Sequence, residues 1–119
     1  MKVSELLAQV NKVKPNTYDN DILLRWANRA EAMVQTEAMN ILPEAVTEYT
    51  LPEDIDTDMI LPPPYDQVYE LYVEAQVDYA QQEFGTYNNT MVLFNSAYSE
   101  MLAYYVQKKN ANLKITAEL

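Results

Sequence analysis

Apolar residues recur every three or four positions over four stretches of the chain, one short and three long, which predicts amphipathic helices. The first stretch predicts a helix over residues 3–13. It ends before Pro15, because a proline disfavours helical backbone at the residue before it. The second predicts a helix from about residue 20 to about residue 41, with Asp19 as its N-cap and Pro43 as its stop.

Two more helices are predicted on either side of the chain's single glycine. The third helix covers about residues 64–84, and Gly85 suits the left-handed position that closes a helix. Asn88 or Asn89 then caps the fourth helix, which ends near residues 108–109, where two lysines suit a helix C-terminus.

Residues 44–61 break the helical pattern. β-branched residues are frequent there and surround an acidic stretch, which indicates either two short strands or an irregular loop. A long non-helical insertion in a small helical domain often has a binding role. The predicted fold is mainly α: an antiparallel helical bundle of one short and three long helices, with a small β-hairpin or loop insertion. We expect one domain over residues 1–109 and a C-terminal tail over residues 110–119 that could dock a partner.

Composition removes most classes of catalytic site. The 119 residues include no cysteine and no histidine, so nucleophile–histidine systems and zinc sites are not expected. One glycine is too few for a phosphate-binding loop. The stretch Asp54–Asp58 alternates like a calcium loop, but Met59 and Tyr65 stand where such a loop needs glycine and glutamate. We therefore expect that the protein is not an enzyme and that it binds neither a cofactor nor a metal ion.

The N-terminal stretch MKVSELLAQVNKVK carries charges and amphipathic spacing, unlike a signal peptide. No window approaches 18 uncharged apolar residues, so no membrane span is expected. These features predict a soluble intracellular protein.

Charge is segregated along the sequence. The net charge is −10, and all eight lysines and arginines lie in residues 2–29 or 108–114. Residues 30–107 contain fourteen carboxylates and no basic residue. This middle region is either a solvated surface that keeps the protein soluble or a surface that must repel other anions.

Two groups of side chains likewise have both a structural and a functional interpretation. Glu70, Glu74 and Asp78 share one face of the third helix, without a basic neighbour in the sequence, and predict a solvated or functionally negative face. The chain also has ten tyrosines against two phenylalanines, and tyrosine suits half-buried positions and interfaces. The tyrosines predicted to form either the rim of the core or a subunit interface are Tyr65, Tyr69, Tyr72 and Tyr79.

Several short motifs resemble those of one protein family. They are Leu24-Arg25-Trp26-Ala27-Asn28, Leu61-Pro62-Pro63-Pro64-Tyr65-Asp66-Gln67-Val68-Tyr69-Glu70-Leu71-Tyr72, Glu83, Tyr87-Asn88-Asn89 and Leu93-Phe94-Asn95. Their order and spacing resemble small proteins encoded in the head–tail gene blocks of tailed phages and prophages, known as head–tail connector, adaptor or head-completion proteins. The resemblance covers roughly residues 3–106.

The resemblance implies a helical subunit of a ring, of twelve copies, that binds the portal protein of a filled capsid. It implies a downstream stopper or tail-completion protein as a further partner, a place in the virion after synthesis in the host cytoplasm, and double-stranded DNA passing through the ring. Related adaptors hold the portal with a C-terminal segment, which corresponds here to residues 110–119. The residues expected to contact the portal are Lys108, Lys109, Leu113, Lys114 and Ile115.

An acidic lumen would repel DNA phosphates and let the duplex slide. The residues expected to line it are Glu53, Asp54, Asp56, Asp58, Glu70, Glu74 and Asp78. A second function stays open at this point: a free acidic binding module, such as a DNA mimic that occupies a nucleic-acid-binding protein.

Overall fold

A computed structural model describes the backbone of residues 1–118 and the side chains of residues 1–112. That part of the chain contains four α-helices and no β-strand, which confirms the prediction of a mainly α helical bundle. The helices are α1 (Val3–Val13), α2 (Asn20–Met33), α3 (Gln67–Ala80) and α4 (Phe84–Glu118). A π-helical turn, Val34–Ala38, continues α2, and a 3₁₀ turn covers Pro43–Ala45.

Helix α1 is joined at its N-terminus to the segment that precedes α3. The backbone N–H of Val3 donates to the carbonyl of Thr57 (3.0 Å), and that of Ser4 donates to the carbonyl of Ile55 (2.9 Å). The first N–H groups of a helix have no acceptor within the helix, so these carbonyls satisfy two of them. The apolar residues that α1 buries are Val3, Leu6, Leu7 and Val10.

Helix α2 begins where the sequence predicts, with Asp19 as its N-cap. Together with its π-helical turn it runs to Ala38, three residues short of the predicted end. Ala27 and Ala30 are fully buried, and their small side chains let α3 pack closely against α2.

The insertion between α2 and α3 is an irregular loop, the second of the two predicted alternatives, and the described residues contain no β-hairpin. Residues 46–50 run extended beside α2, and residues 51–56 form a turn. The one β contact in the described chain is an isolated antiparallel bridge between Lys2 and Asp58. The extended residues do not pair with a second strand because side chains of α2 take up their backbone hydrogen bonds.

The turn between α3 and α4 closes three residues earlier than predicted. Gln82, not Gly85, takes the left-handed conformation, with φ of 62°. The N–H of Glu83 donates to the carbonyl of Asp78 (2.9 Å), and the N–H of Gln82 donates to that of Tyr79 (3.0 Å). This pair of bonds is the Schellman motif that ends many helices. Gly85 is already the second residue of α4.

Helix α4 is longer at both ends than predicted. It begins at Phe84, so neither Asn88 nor Asn89 caps it, and its backbone continues past Lys108 and Lys109 to Glu118. The predicted end was wrong because neither glycine nor proline follows Gly85 to stop the helix. At 1.5 Å per residue, α4 is about 52 Å long.

The core lies between the four helices and is covered on one side by the loop. Helices α3 and α4 form an antiparallel pair, against which α1 and α2 pack. The loop contributes the buried side chains of Tyr49, Met59 and Leu61 to the same cluster. Every side chain from Val106 to Asn112 is exposed, so this part of α4 extends away from the core.

Candidate functional site

Three polar side chains of α2 hold the loop in place. Asn28 donates to the carbonyl of Tyr49 (3.0 Å) and accepts from its N–H (2.9 Å). Gln35 makes the same two bonds, both 3.0 Å, with the backbone of Thr47. Two side-chain amides therefore replace the neighbouring strand that an extended segment usually needs. Glu31 lies between these two amides on the same face of α2.

The carboxylate of Glu31 is fully buried and accepts three hydrogen bonds. The donors are the hydroxyl of Tyr49 (2.7 Å), the hydroxyl of Tyr69 (2.5 Å) and the N–H of Ile60 (3.0 Å). Burial, and then the adjacent carboxylate, raises the pKa of the Tyr49 and Tyr69 hydroxyls well above the ordinary 10.0. Glu31 thus joins α2 to α3 and to two parts of the loop.

A second buried carboxylate belongs to the predicted acidic face of α3. Asp78 is fully buried, and its Oδ1 lies 3.1 Å from the Lys14 ammonium at the end of α1. Its Oδ2 accepts a hydrogen bond from the hydroxyl of Thr90 on α4 (3.1 Å). Glu74 is also buried. The prediction that α3 presents these carboxylates to solvent is therefore wrong for Asp78 and Glu74. The positive charge that the sequence around α3 lacks is supplied by Lys14, just after the last residue of α1.

The other two carboxylates of the predicted acidic face, Glu74 and Glu70, are less completely buried than Asp78. Burial, and then the negative charge of Glu70, raises the pKa of Glu74 above its ordinary 4.5. Glu70 is half-buried, and burial followed by the charge of Asp66 raises its pKa as well. A raised carboxyl pKa means that folding favours the protonated form, so ionisation of these groups costs stability.

We expect Glu74→Gln to make the protein more stable than the wild type at pH 7. The wild type loses stability as the pH rises through the raised pKa of Glu74, and glutamine has no proton to lose. The gain should shrink as the pH falls below 4.5, the ordinary glutamate value. Urea unfolding followed across pH measures it, with the exposed Glu83→Gln as control. A gain that persists undiminished at low pH would contradict this cause.

The acidic turn, residues 53–58, is the part of the predicted lumen surface that does reach solvent. Glu53, Asp56 and Asp58 are exposed. Asp54 is half-buried and accepts hydrogen bonds from the N–H of Thr50 (2.8 Å) and the hydroxyl of Thr57 (3.1 Å). The Thr50 bond is the main cause that lowers the pKa of Asp54 below 3.8. Asp54 therefore shapes the turn, and the other three carboxylates form its surface.

The four tyrosines predicted at the core rim or an interface have different positions. Tyr69 is fully buried, which excludes it from a subunit contact. Tyr65 and Tyr72 are half-buried, and their rings pack on Tyr104 and Phe94 of α4. Tyr79 is 57% exposed and remains available to a partner.

The predicted portal contacts lie on the projecting end of α4. The side chains of Lys108 and Lys109 are exposed, and the Lys108 ammonium lies 5.8 Å from the centre of the Tyr105 ring. The side chains of the other three residues lie outside the described residues. They are Leu113, Lys114 and Ile115.

The outer face of α4, defined as the exposed residues of the helix between Phe84 and Gln107, is a surface that sequence reasoning did not single out. Between Phe84 and Gln107 the helix has one charged residue, Glu100. Val92 and Leu93 are 68% and 59% exposed on this stretch. Leu93 borders a shallow groove of about 240 Å³ between α3 and α4. The signal was present in the sequence as a helical stretch almost without charge.

Two kinds of site are absent from the described chain. The described residues contain no group of three or more aspartate, glutamate, histidine or cysteine side chains placed to hold a metal ion. Nor does any described helix have the length and apolar character required to cross a membrane.

Comparison with protein-family models, with curated proteins and with solved structures gives no match for this chain.

Proposed function

We propose that the chain is a structural subunit of a head–tail connector ring in a tailed phage. It would bind the portal protein and neighbouring copies of itself, twelve in the ring, and would be followed by a stopper or tail-completion protein. The ring would stand in the virion and pass double-stranded DNA without binding it. This role needs no catalytic group and no cofactor.

The outer face of α4 carries the proposal. A helix face that meets water normally has charged residues, and large apolar side chains exposed on a surface can mark a protein–protein contact. Depletion of charge is also the compositional mark of the centre of an interface. With Glu100 as its one charge before Gln107, and with Val92 and Leu93 exposed, α4 fits lateral packing against another subunit.

Two further surfaces support the same role. The exposed carboxylates of Glu53, Asp56 and Asp58 suit a lumen that repels DNA phosphates. The side chains of Lys108 and Lys109 are exposed on the C-terminal part of α4, which suits contact with a separate protein. The identity of that protein as a portal comes from the sequence resemblance.

The other function, an acidic module that mimics DNA, receives less support. A mimic needs its carboxylates on the surface, in place of phosphates. Glu74 and Asp78 are buried, and Glu31 is enclosed in the core, so three of the fourteen carboxylates of the basic-free region are unavailable for it.

Multi-angle light scattering of the full chain, with and without the portal protein of the same genome, tests the proposal. We expect a complex with the mass of a portal ring plus a ring of this chain, visible as stacked rings by negative-stain electron microscopy. Absence of any complex would contradict the proposal. Binding to a nucleic-acid-binding protein instead would favour the DNA mimic.

Leu93→Lys should prevent ring formation on the portal, because it places an unpaired charge in the proposed contact. The thermal unfolding midpoint should be unchanged, since Leu93 is mostly exposed. Ala8→Lys is the matched control, because Ala8 is an exposed apolar residue on α1. Rings that form equally well with Leu93→Lys would exclude the outer face of α4 from the subunit contact.

A further inference from the structure

We propose that the groove between α2 and the loop binds an extended peptide segment with carboxylates on alternate residues. This groove, the α2 groove, is lined by residues 21–32 of α2 and residues 48–51 of the loop and has a volume of about 510 Å³. The inference does not depend on the connector role, since the α2 groove is separate from the outer face of α4.

The lining of the α2 groove contains apolar residues and two arginines. Leu24, Ala32 and Leu51 contribute to its lining together with Arg25 and Arg29. Such a combination of apolar lining with a few placed charged groups is typical of ligand sites.

The walls of the α2 groove are held rigidly. Asn28 ties the backbone of Tyr49 to α2 through two hydrogen bonds, and the Tyr49 hydroxyl is anchored on buried Glu31. Thr50, the next residue, is held by the Asp54 carboxylate. When a site is already formed, the free-energy cost of ordering it on ligand binding is small.

Both arginines are free to bind a ligand. Arg25 and Arg29 are exposed, and neither takes part in an ion pair or a hydrogen bond within the described residues. The carboxylates of Asp21 and Glu48 also line the groove, yet neither lies within 4.0 Å of a guanidinium nitrogen. Among the residues with described side chains, no other lysine or arginine contributes to this groove lining.

The spacing of the arginines suggests the form of the ligand. Positions i and i+4 of a helix share one face and are about 6 Å apart along the axis. Alternate residues of an extended strand are roughly 6.7 Å apart and point to the same side. An extended segment with acidic residues at i and i+2 therefore matches Arg25 and Arg29 one to one. A guanidinium and a carboxylate can pair through two parallel hydrogen bonds.

The charges around the groove favour a short acidic peptide over a polyanion. Asp21 and Glu48 would repel a dense run of phosphates, and the net charge of −10 would add to that repulsion. The same repulsion acts on a peptide with two carboxylates, but it is smaller because the peptide carries fewer negative charges, and one arginine is present for each of them.

Fluorescence anisotropy with the full chain tests this. The probe is a fluorescein-labelled, acetylated Ala-Glu-Ala-Glu-Ala peptide, and the matched control peptide has glutamine in place of both glutamates. We expect saturable binding of the glutamate peptide, weakened by added salt, and no binding of the glutamine peptide. Arg25→Gln and Arg29→Gln should each weaken binding on the order of tenfold. Lys12→Gln, at an exposed position of α1, should leave it unchanged.

Thermal unfolding of the arginine variants checks that they fold, since both side chains are exposed. Equal binding of the two peptides, or equal binding by wild type and the Arg25→Gln variant, would overturn the proposal. Displacement of the peptide by an equal concentration of inorganic phosphate would also overturn it, in favour of a phosphate site.

Discussion

Replacing Glu31 with alanine is expected to lower the free energy of unfolding by about 3–5 kcal/mol, because it removes the acceptor of three hydrogen bonds, two of which are buried. The hydroxyls of Tyr49 and Tyr69 and the N–H of Ile60 would lose their partner in a place that water does not reach freely. A domain of this size is stabilised by only about 5–15 kcal/mol in total. The variant should therefore lose a large share of its stability and unfold at a lower urea concentration than the wild type.

Urea unfolding followed by circular dichroism measures the loss at Glu31. Glu44→Ala is the matched control, because Glu44 is exposed and its removal should change stability by less than about 0.5 kcal/mol. Glu31→Gln keeps the shape of the side chain but replaces one acceptor oxygen with an amide donor, so we expect a smaller loss. An alanine variant as stable as the control would show that the three bonds contribute little.

Replacing Lys14 with methionine is expected to cost about 3 kcal/mol, because it leaves the buried Asp78 carboxylate without its cation. Among the described residues no hydroxyl or amide donates to Oδ1 of Asp78, so the ammonium at 3.1 Å is its polar contact. The hydroxyl of Thr90 satisfies only the other oxygen. Methionine keeps most of the apolar stem of the lysine, which isolates the loss of charge.

A double-mutant cycle measures the interaction energy between Lys14 and Asp78. Lys14→Met combined with Asp78→Asn should be less destabilising than the sum of the two single changes, because the uncompensated charge is gone. Lys12→Met, at an exposed position on the same helix, is the control and should be nearly neutral. Additive losses would mean that Lys14 and Asp78 do not stabilise each other.

The helices could be predicted because their signal is local. A stripe of apolar residues at three- and four-residue spacing requires only neighbours in the sequence, and all four predicted helices are present. The predicted stop at Gly85 was wrong because the left-handed residue is Gln82, a residue type that does not favour this conformation and so gives no signal in the sequence.

The polar network could not be predicted, because its partners are far apart in the sequence. Tyr49 and Tyr69 lie 18 and 38 residues beyond Glu31. Lys14, at the end of α1, forms an ion pair with Asp78. Asp78 lies within residues 30–107, where the sequence has no basic residue. One local sign existed for Glu31: it lies next to Ala30 and one turn after Ala27, within the apolar stripe of α2.

The hydrogen bonds between the loop backbone and the side chains of α2 and its π-helical turn have a consequence for hydrogen exchange. The N–H groups of Thr47, Tyr49 and Ile60 are bonded to side chains of Gln35, Asn28 and Glu31, and two of these acceptors are buried. Such amides exchange with solvent only when α2 separates from the loop, which requires opening of the core. These three amides should therefore be protected like those of a central strand, although they do not belong to a helix or a strand. The projecting turns of α4, at residues 107–112, form a regular helix that should exchange early.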